Sequence, residues 1–392
     1  MGKRILITGG SHAELPLIEA AQARGDYVIT TGNDIHGLGH QKADEYVPGD
    51  YSDKEYVYQL AKEKQVDAIV SGCNDFAYLS TAYAAKKLGF SGHDSYETAL
   101  IIHHKDMFRA CTKRLGIPTP RNKRCLSWED AEAACGQLSF PVLVKPVDLT
   151  GGKGVKVCHS VAEVKDAYAS AGAVTRETVI VIEEYIQGTN HGASVLIKNQ
   201  KVVFEFVDNE QYYHNPYLVS GACYPSDVSE NTMQTLYRDI EKVACECQLV
   251  DGLFHVQFIV QKDGTPVMID PCRRAPGDLY IKLVKYATGV DYPLAILRAE
   301  CGETLADSYV YKPANIAREC LMADKNGIVT GLQMKPELKS GVIDQCIWGS
   351  VGDTVEDYMK YKAGILFIQE PDVKSLYEKV QRFHELAVVQ VQ

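Results

Sequence analysis

Four short segments of this 392-residue chain carry residue types that act on phosphates, carboxylates and divalent cations. In chain order they are His104-Lys105-Asp106, Val144-Lys145-Pro146, Ile182-Glu183-Glu184-Tyr185 and Asp270-Pro271-Cys272-Arg273-Arg274. Lysine suits a polyphosphate, a strand carboxylate suits the adenine amino group or Mg²⁺, and arginine suits a carboxylate or an acyl phosphate. Together the four imply a site that holds ATP and activates an acid.

Lys145 closes the apolar run Pro141-Val142-Leu143-Val144 and precedes Pro146. A lysine there either meets an anion or snorkels to water. The next segment, Gly151-Gly152-Lys153-Gly154, favours the anion, because a glycine loop lets backbone N–H groups approach phosphate oxygens unobstructed. After the strand Val179-Ile180-Val181, the backbone of Tyr185-Ile186 can pair with an adenine edge while Glu183 accepts from the exocyclic amine; an exposed acidic strand end is the competing reading. In the hairpin 253–270, alternation puts Phe254, Val256 and Phe258 on one face and His255 and Gln257 on the other. Its polar face ends at Asp270, a hard oxygen ligand of the kind Mg²⁺ prefers, and at Arg274, placed for a transferring phosphoryl group. A surface salt-bridge cluster is the alternative there. His214, within Tyr212-Tyr213-His214-Asn215-Pro216-Tyr217, reads either as an acceptor contact or base, or as part of a packed loop cover.

A scaffold must position these groups. Residues 1–118 alternate strands at Arg4–Thr8, Tyr27–Thr30 and Ala68–Ser71 with helices at Leu15–Arg24, Asp53–Lys64 and Ala77–Leu88. That spacing predicts a parallel, doubly wound sheet. Gly9-Gly10-Ser11-His12 follows its first strand, where such sheets bind ligands, although without a G-x-G-x-x-G fingerprint a tight turn is the stronger reading. A helix at Asp106–Leu115 leads to the extended linker Ile117-Pro118-Thr119-Pro120, since each proline disfavours helix before it. A second unit, 119–190, holds helices Trp128–Leu138 and Val161–Ala171 and strands Pro141–Pro146, Val155–Cys158 and Val179–Ile182. The third, 191–392, holds the hairpin Ser194–Ile197 with Val202–Val207, the helix Thr232–Cys247 and the hairpin Phe254–Val260 with Pro266–Asp270. Short strands follow from about 305, and the unit ends in a final helix Val373–Ala387.

A net charge of −10 excludes a general nucleic-acid or anionic-membrane surface, so an anionic ligand must be held by a few placed cations. No apolar run approaches the ~18 residues of a membrane helix. Met1-Gly2-Lys3-Arg4-Ile5-Leu6-Ile7-Thr8 opens basic then apolar, but its apolar stretch is too short for a signal core and reads as a first strand. Twelve cysteines without a CxxC pair suggest reduced thiols in the cytoplasm.

Lys105, Lys145 with its glycine loop, Glu183-Glu184-Tyr185-Ile186 and Asp270…Arg274, in this order, resemble the ATP-grasp superfamily, and the first ~115 residues resemble its pre-ATP-grasp domain. The run Arg274-Ala275-Pro276-Gly277-Asp278-Leu279, continuing to Ala287-Thr288-Gly289-Val290-Asp291, is most similar to amino-acid-coupling carboxylate–amine ligases and to carbamoyl-phosphate-synthetase-like members. The resemblance implies an α/β fold: a parallel pre-ATP-grasp domain followed by a two-lobed ATP-grasp unit. It implies Lys105, Lys145, Gly151, Gly152 and Gly154 around the phosphates, and Glu183, Glu184, Tyr185 and Ile186 around adenine. Asp270 and Gln257 would hold Mg²⁺, and Arg274, Arg273, Lys153 and His214 would serve catalysis. Three positions depart from the pattern: Gln257 replaces a metal-binding Glu, Cys272 an Asn, and Gly192 a ribose-binding Glu for which His191 could compensate. The implied activity joins a small-molecule carboxylate to an amine through an acyl phosphate. The alternatives are carboxyphosphate chemistry and a degenerate ATP-binding protein. No nucleic-acid or membrane partner is implied, and a homodimer is compatible with the chain.

Overall fold

The computed structural model describes residues 2–149 and 151–392. Strands β1 (Arg4–Thr8), β2 (Tyr27–Gly32), β3 (Glu45–Pro48) and β4 (Ala68–Ser71) form a parallel sheet in the order β3-β2-β1-β4. Ile5, Leu6 and Ile7 are wholly buried, as a sheet covered on both faces requires. Helices cover it, among them Asp75–Leu88, which Asn74 caps at its start and Gly89 ends in the left-handed conformation.

The next lobe is a sheet ordered β5-β8-β6-β7, from β5 (Asn122–Cys125), β6 (Val142–Pro146), β7 (Lys156–Cys158) and β8 (Ile180–Glu184). Alternation decides its faces. Val142, Val144, Ile180 and Ile182 pack under the helices Trp128–Cys135 and Val161–Gly172. Leu143, Lys145, Val181 and Glu183 are left on the opposite face.

The large lobe is an eight-stranded antiparallel sheet ordered β13-β12-β9-β10-β11-β14-β18-β16. Its strands are β9 (Thr189–Lys198), β10 (Lys201–Tyr212), β11 (Val219–Tyr224), β12 (Gly252–Val260), β13 (Pro266–Cys272), β14 (Asn315–Met322), β16 (Val342–Ile347) and β18 (Lys362–Glu370). The amphipathic helix Glu230–Glu246 covers one face through Leu236, Ile240 and Val243 against Val195, Phe254 and Phe258. The helices Tyr280–Thr288 and Tyr292–Glu300 cover the other, and their core continues to Ile5, Ile7 and Leu17. One continuous core therefore joins the parallel sheet to the large lobe, and the small lobe stands over their junction.

The architecture agrees with the expected α/β fold, with local differences. The linker at 117–120 runs into β5, and two buried helices occupy 280–300. The final helix stops at Gln381; after a short turn of helix, Phe383–Leu386, the chain forms β19 (Ala387–Val391). That strand pairs with β15 (Gly327–Met334), which also pairs with β17 (Thr354–Val355). The β-branched run Val388-Val389-Gln390-Val391 prefers a half-buried strand to a helix.

Candidate active site

The small lobe presents two lysines to the interlobe cleft. Lys145 and Leu143 share the open face of β6, and the buried Lys145 ammonium pairs with Glu183 across β8. Glu183 is also gripped by Arg109, Nε to Oε2 3.2 Å, and both side chains are 1% exposed or nearly so. Arg109 comes from the helix Lys105–Arg114, one turn from Lys105 and so on the same face. Its remaining donors reach the carbonyls of Met268 at 3.4 Å and Ile269 at 2.8 Å, tying this helix to β13. Lys105 Nζ donates to the Leu149 carbonyl at 2.5 Å and lies 3.7 Å from Asp270.

Charge in this cluster is unbalanced, with two cations on one carboxylate. Burial raises the cost of ionising Glu183, but Arg109 and Lys145 outweigh it and hold the acid down to about 2. Burial pushes the Lys145 ammonium down to about 8 in spite of Glu183, with Arg109 and Lys105 adding like-charge repulsion.

The large lobe answers with the hairpin β12–β13. Gln257 and Asp270 are partners in register, and His255 is opposite Cys272, so all four share the face predicted from alternation. Two cavities meet there. One, about 140 Å³, is lined by Lys105, Lys145, Leu143, Tyr185, Ile186, Ile259 and Ile269, with Gly151 and Gly152 at its mouth. The other, about 240 Å³, is lined by Arg274, Asp75, His255, Cys272, Glu210 and Arg318. Gln257, Asp270, Gly151 and Tyr217 line both.

Arg274 is fixed by a two-pronged pair to Asp75 of the parallel-sheet domain, at 3.1 and 3.0 Å. Across the cavity, Asp278 and Leu279 both hold left-handed backbone, φ 52° and 56°. These are costly for non-glycine residues and are retained at a turn that aims Asp278 toward Arg318, Lys362 and His12. The Lys362 ammonium, a hydrogen bond from His12 and the Arg318 guanidinium outweigh burial and hold its carboxyl well below the usual range. His255 is buried against Tyr280 and bonded to Ser194 at 2.9 Å; burial and Arg274 push it down to about 3, so it stays neutral.

Several expected residues lie elsewhere. Glu183 turns inward to Lys145 and Arg109, so its carboxylate orients a lysine instead of accepting from adenine. Glu184 faces outward, accepting from Arg121 at 3.1 Å and the Ser139 N–H at 2.8 Å. Arg273 points away from the cleft and is consumed by Asp94, at 2.8 Å, and by the carbonyls of Leu253 and Val250. Arg273 and Arg274 both lie just past the end of β13, in a bend that sends the first to Asp94 and the second to Asp75. His191 sits on the reverse face beside Phe258, bonded to Thr189 at 2.7 Å, whereas Asn190 lines the cleft. His214 packs between Tyr213, tilted at 44°, and the edge of Tyr358, outside both cavities, as a packed loop cover does. Lys153 is exposed and borders a larger cavity of about 830 Å³ with Gly9, Gly10 and Arg176 at the ends of the parallel strands. The glycine loop closes on Tyr217, since a Cβ at Gly152 would lie 2.7 Å from the Tyr217 Cβ.

Three departures in the sequence find a local account. Gly192 is paired with both Gln257 and Asp208, and a Cβ there would lie 2.7 Å from an Asp208 oxygen. The gap lets the acids of β10 reach toward β12: Gln257 donates to Glu210 at 2.7 Å. Thus a carboxylate from two strands away stands beside position 257. Burial pushes the Cys272 thiol up to about 11, leaving it a protonated packing residue. Sequence reading missed Arg109, Glu210 and Asp75. Only Arg109 carried a signal, its one-turn spacing from Lys105.

A two-lobed cleft with lysines on one sheet and a carboxylate hairpin on the other defines the ATP-grasp class. The model for the family described as "Carbamoyl-phosphate synthase L chain, ATP binding domain" matches residues 104–308, just over half of the chain, and the chain belongs to that family. The carbamoyl phosphate synthase large chain of Thermoanaerobacter sp. (strain X514) is 27% identical over 221 residues, 54% of this chain and 20% of that protein. The chain thus spans about a fifth of the curated relative it matches. An L-amino acid ligase from Bacillus licheniformis has the same fold with a TM-score of 0.84 at 19% identity, covering 99% of this chain and 98% of that one. The biotin carboxylase domain of Hydrogenobacter thermophilus 2-oxoglutarate carboxylase, solved with MgADP and bicarbonate, has a TM-score of 0.81 at 18% identity, covering 99% and 91%.

Proposed function

We propose that this protein is an ATP-dependent ligase that joins a small-molecule carboxylate to an amine. The single observation that carries the reading is the meeting of two cavities at Gln257 and Asp270, one walled by lysines and apolar side chains, the other by a fixed arginine. Leu143, Ile186, Ile259 and Ile269 suit a flat base, and Lys105 and Lys145 suit its phosphates. Asp270, with Gln257 and Glu210 beside it, fits Mg²⁺, which takes one or two carboxylates and completes its shell with phosphate and water. Among the described residues no cluster of three or more acidic, His or Cys side chains could hold a metal alone, so the metal would arrive with nucleotide.

The bound nucleotide would supply a phosphoryl group that makes the acid an acyl phosphate, which the amine then opens to an amide. Arg274, pre-oriented by Asp75, holds the acid's carboxylate against the shared wall. Lys145 and Lys105 offset phosphate charge, and the loop 151–154 over Tyr217 excludes water. Positioning does most of the chemistry, so no side-chain nucleophile is needed. The three units, 1–118, 119–190 and 191–392, serve as substrate wall, nucleotide cover and metal-bearing floor. All twelve cysteines are free and no helix among the described residues could cross a membrane, which suits a cytoplasmic setting.

The test is ADP and phosphate release with ATP and Mg²⁺ across amino acids, supplied singly and in pairs, and with bicarbonate. ADP formation that needs an acid plus an amine is expected. Release driven by bicarbonate alone, or nucleotide binding that no pair converts to ADP, overturns the reading.

A further inference from the structure

A cavity of about 700 Å³ lies on the reverse face of the large sheet, under Tyr377, Arg382 and His384 of the C-terminal helices. Of its lining the proposed mechanism uses only Glu210, at the border with the cleft. Its floor is a row in register across three strands: Gln211 of β10 opposite Gly221 of β11, which is opposite Glu319 of β14. Gly221 gives the Glu319 carboxylate room to lie across β11 toward Gln211, since a Cβ there would strike it.

Three residues that line this cavity each hold a buried polar atom without a hydrogen-bond partner: Gln211 Oε1, Glu319 Oε1 and His384 Nδ1. Glu319 is only 1% exposed. Buried polar atoms are satisfied in nearly all folded proteins, and an orphaned carboxylate oxygen at the base of a large cavity calls for a donor. Gln211 has already committed its own donor to the Asn209 carbonyl at 2.9 Å and to Cys223, so its free oxygen also asks for one.

Charge narrows the class of ligand. Asp227, Glu210, Glu319 and Glu385 line the cavity against one arginine, Arg382, which is already paired to Glu337 and Glu385 at 3.3 Å each. An anion has no free cation here, whereas an ammonium group finds two unsatisfied acceptors, one of them able to ionise. We propose that this cavity binds a small primary ammonium compound, its nitrogen seated between Gln211 and Glu319. Burial, only partly offset by Arg318, pushes the empty Glu319 carboxyl well above the usual range, so the arriving cation would displace its proton. Asn190, Glu210 and Tyr212 border both this cavity and the cleft, which places an occupant next to the proposed active site. The proposal does not depend on ligase activity.

The test titrates n-butylammonium, n-butanol and butanoate into the full chain without nucleotide, and reads hydrogen exchange over 209–224 and 377–391. Butylammonium should slow exchange there saturably, and butanol and butanoate should bind at least about tenfold more weakly. Glu319→Gln keeps the shape over Gly221 and should weaken butylammonium at least about tenfold while leaving butanol unchanged. Should that variant not fold, Gln211→Leu makes the same comparison from the other acceptor. Equal butylammonium binding by wild type and variant, preference for butanoate, or no saturable protection by butylammonium overturns the assignment.

Discussion

Two buried ionic clusters in this chain use the same chemistry to opposite ends. In the small lobe, Glu183 faces two cations, Lys145 and Arg109, with a third, Lys105, on the same helix face as Arg109. At the junction of the parallel sheet and the large lobe, Asp94 faces one, Arg273. Asp94 further accepts from Tyr78 at 2.7 Å and the Val250 N–H at 2.9 Å, while Arg273 fills its other donors with carbonyls. The second cluster is neutral and saturated, and it asks for nothing more. The first is locally positive and opens on a cavity. A surplus of buried charge beside a cavity marks a place where a ligand is to supply the balance, whereas a closed one-to-one pair marks a clasp.

The largest expected effect breaks the clasp. Arg273→Met leaves Asp94 buried without its cation and should cost about 3–5 kcal/mol of folding stability. Burial and the loss of Arg273 would both favour protonating Asp94, whose carboxyl is now held below the usual range by Arg273 against burial. Urea unfolding measures the loss, and ATP affinity of the folded fraction should stay within about twofold of wild type. A strong loss of nucleotide affinity with unchanged stability would return Arg273 to the catalytic set and undo the contrast.

A smaller effect, of the opposite kind, follows from breaking the surplus. Lys145→Ala removes a charge-assisted contact to phosphate worth roughly 1.5–3 kcal/mol. Folding should suffer less than in Arg273→Met, because Arg109 still compensates Glu183. Calorimetric titration with ATP and Mg²⁺ decides it. If affinity is unchanged in a folded variant, Lys145 is only Glu183's structural partner and the two clusters are alike.

The contrast was half visible in the chain itself. Lys145 and Asp270 could be placed on the cleft face from the chain because each lies in a strand whose apolar pattern is strong, so alternation fixes where it points. The same alternation separates His191 from Asn190 within β9, and there the motif outweighed the geometry; Arg273 and Arg274 lie past the end of β13, where no strand period tells them apart. Glu183 was misread because a carboxylate at a strand end looks alike whether it meets adenine or a lysine on the next strand. Asp75, Asp94 and Glu210 were out of reach. Each meets its partner from a distant part of the chain, Asp75 at Arg274 199 residues on, and no local pattern encodes such a pairing. The helix Tyr280–Thr288 does carry the helical period, with Ile281, Leu283, Val284 and Ala287 buried and Lys285 turned outward, and was passed over in favour of the motif run around it.

The smallest effect sharpens the comparison by titrating it. Burial lowers the Lys145 ammonium to about 8, so above that pH the ligand-free site has largely lost this cation. Phosphate binding favours the charged form and must raise its pKa, so ATP binding at alkaline pH takes up a proton. Below about pH 7 the lysine is charged in both states, and affinity should be flat with respect to its titration. Above about pH 8, affinity should fall by up to roughly tenfold per unit as binding has to include that proton. Calorimetry in two buffers of different ionisation enthalpy counts the uptake directly, expected to approach one proton per ATP. Lys145→Arg keeps its charge throughout this range and should remove the uptake while still binding. The neutral Arg273–Asp94 clasp contributes no proton here, since neither group titrates between these values. Binding that is pH-independent to about pH 9.5 would mean that Lys145 is fully charged before nucleotide arrives, and that the cluster holds no surplus for a ligand to complete.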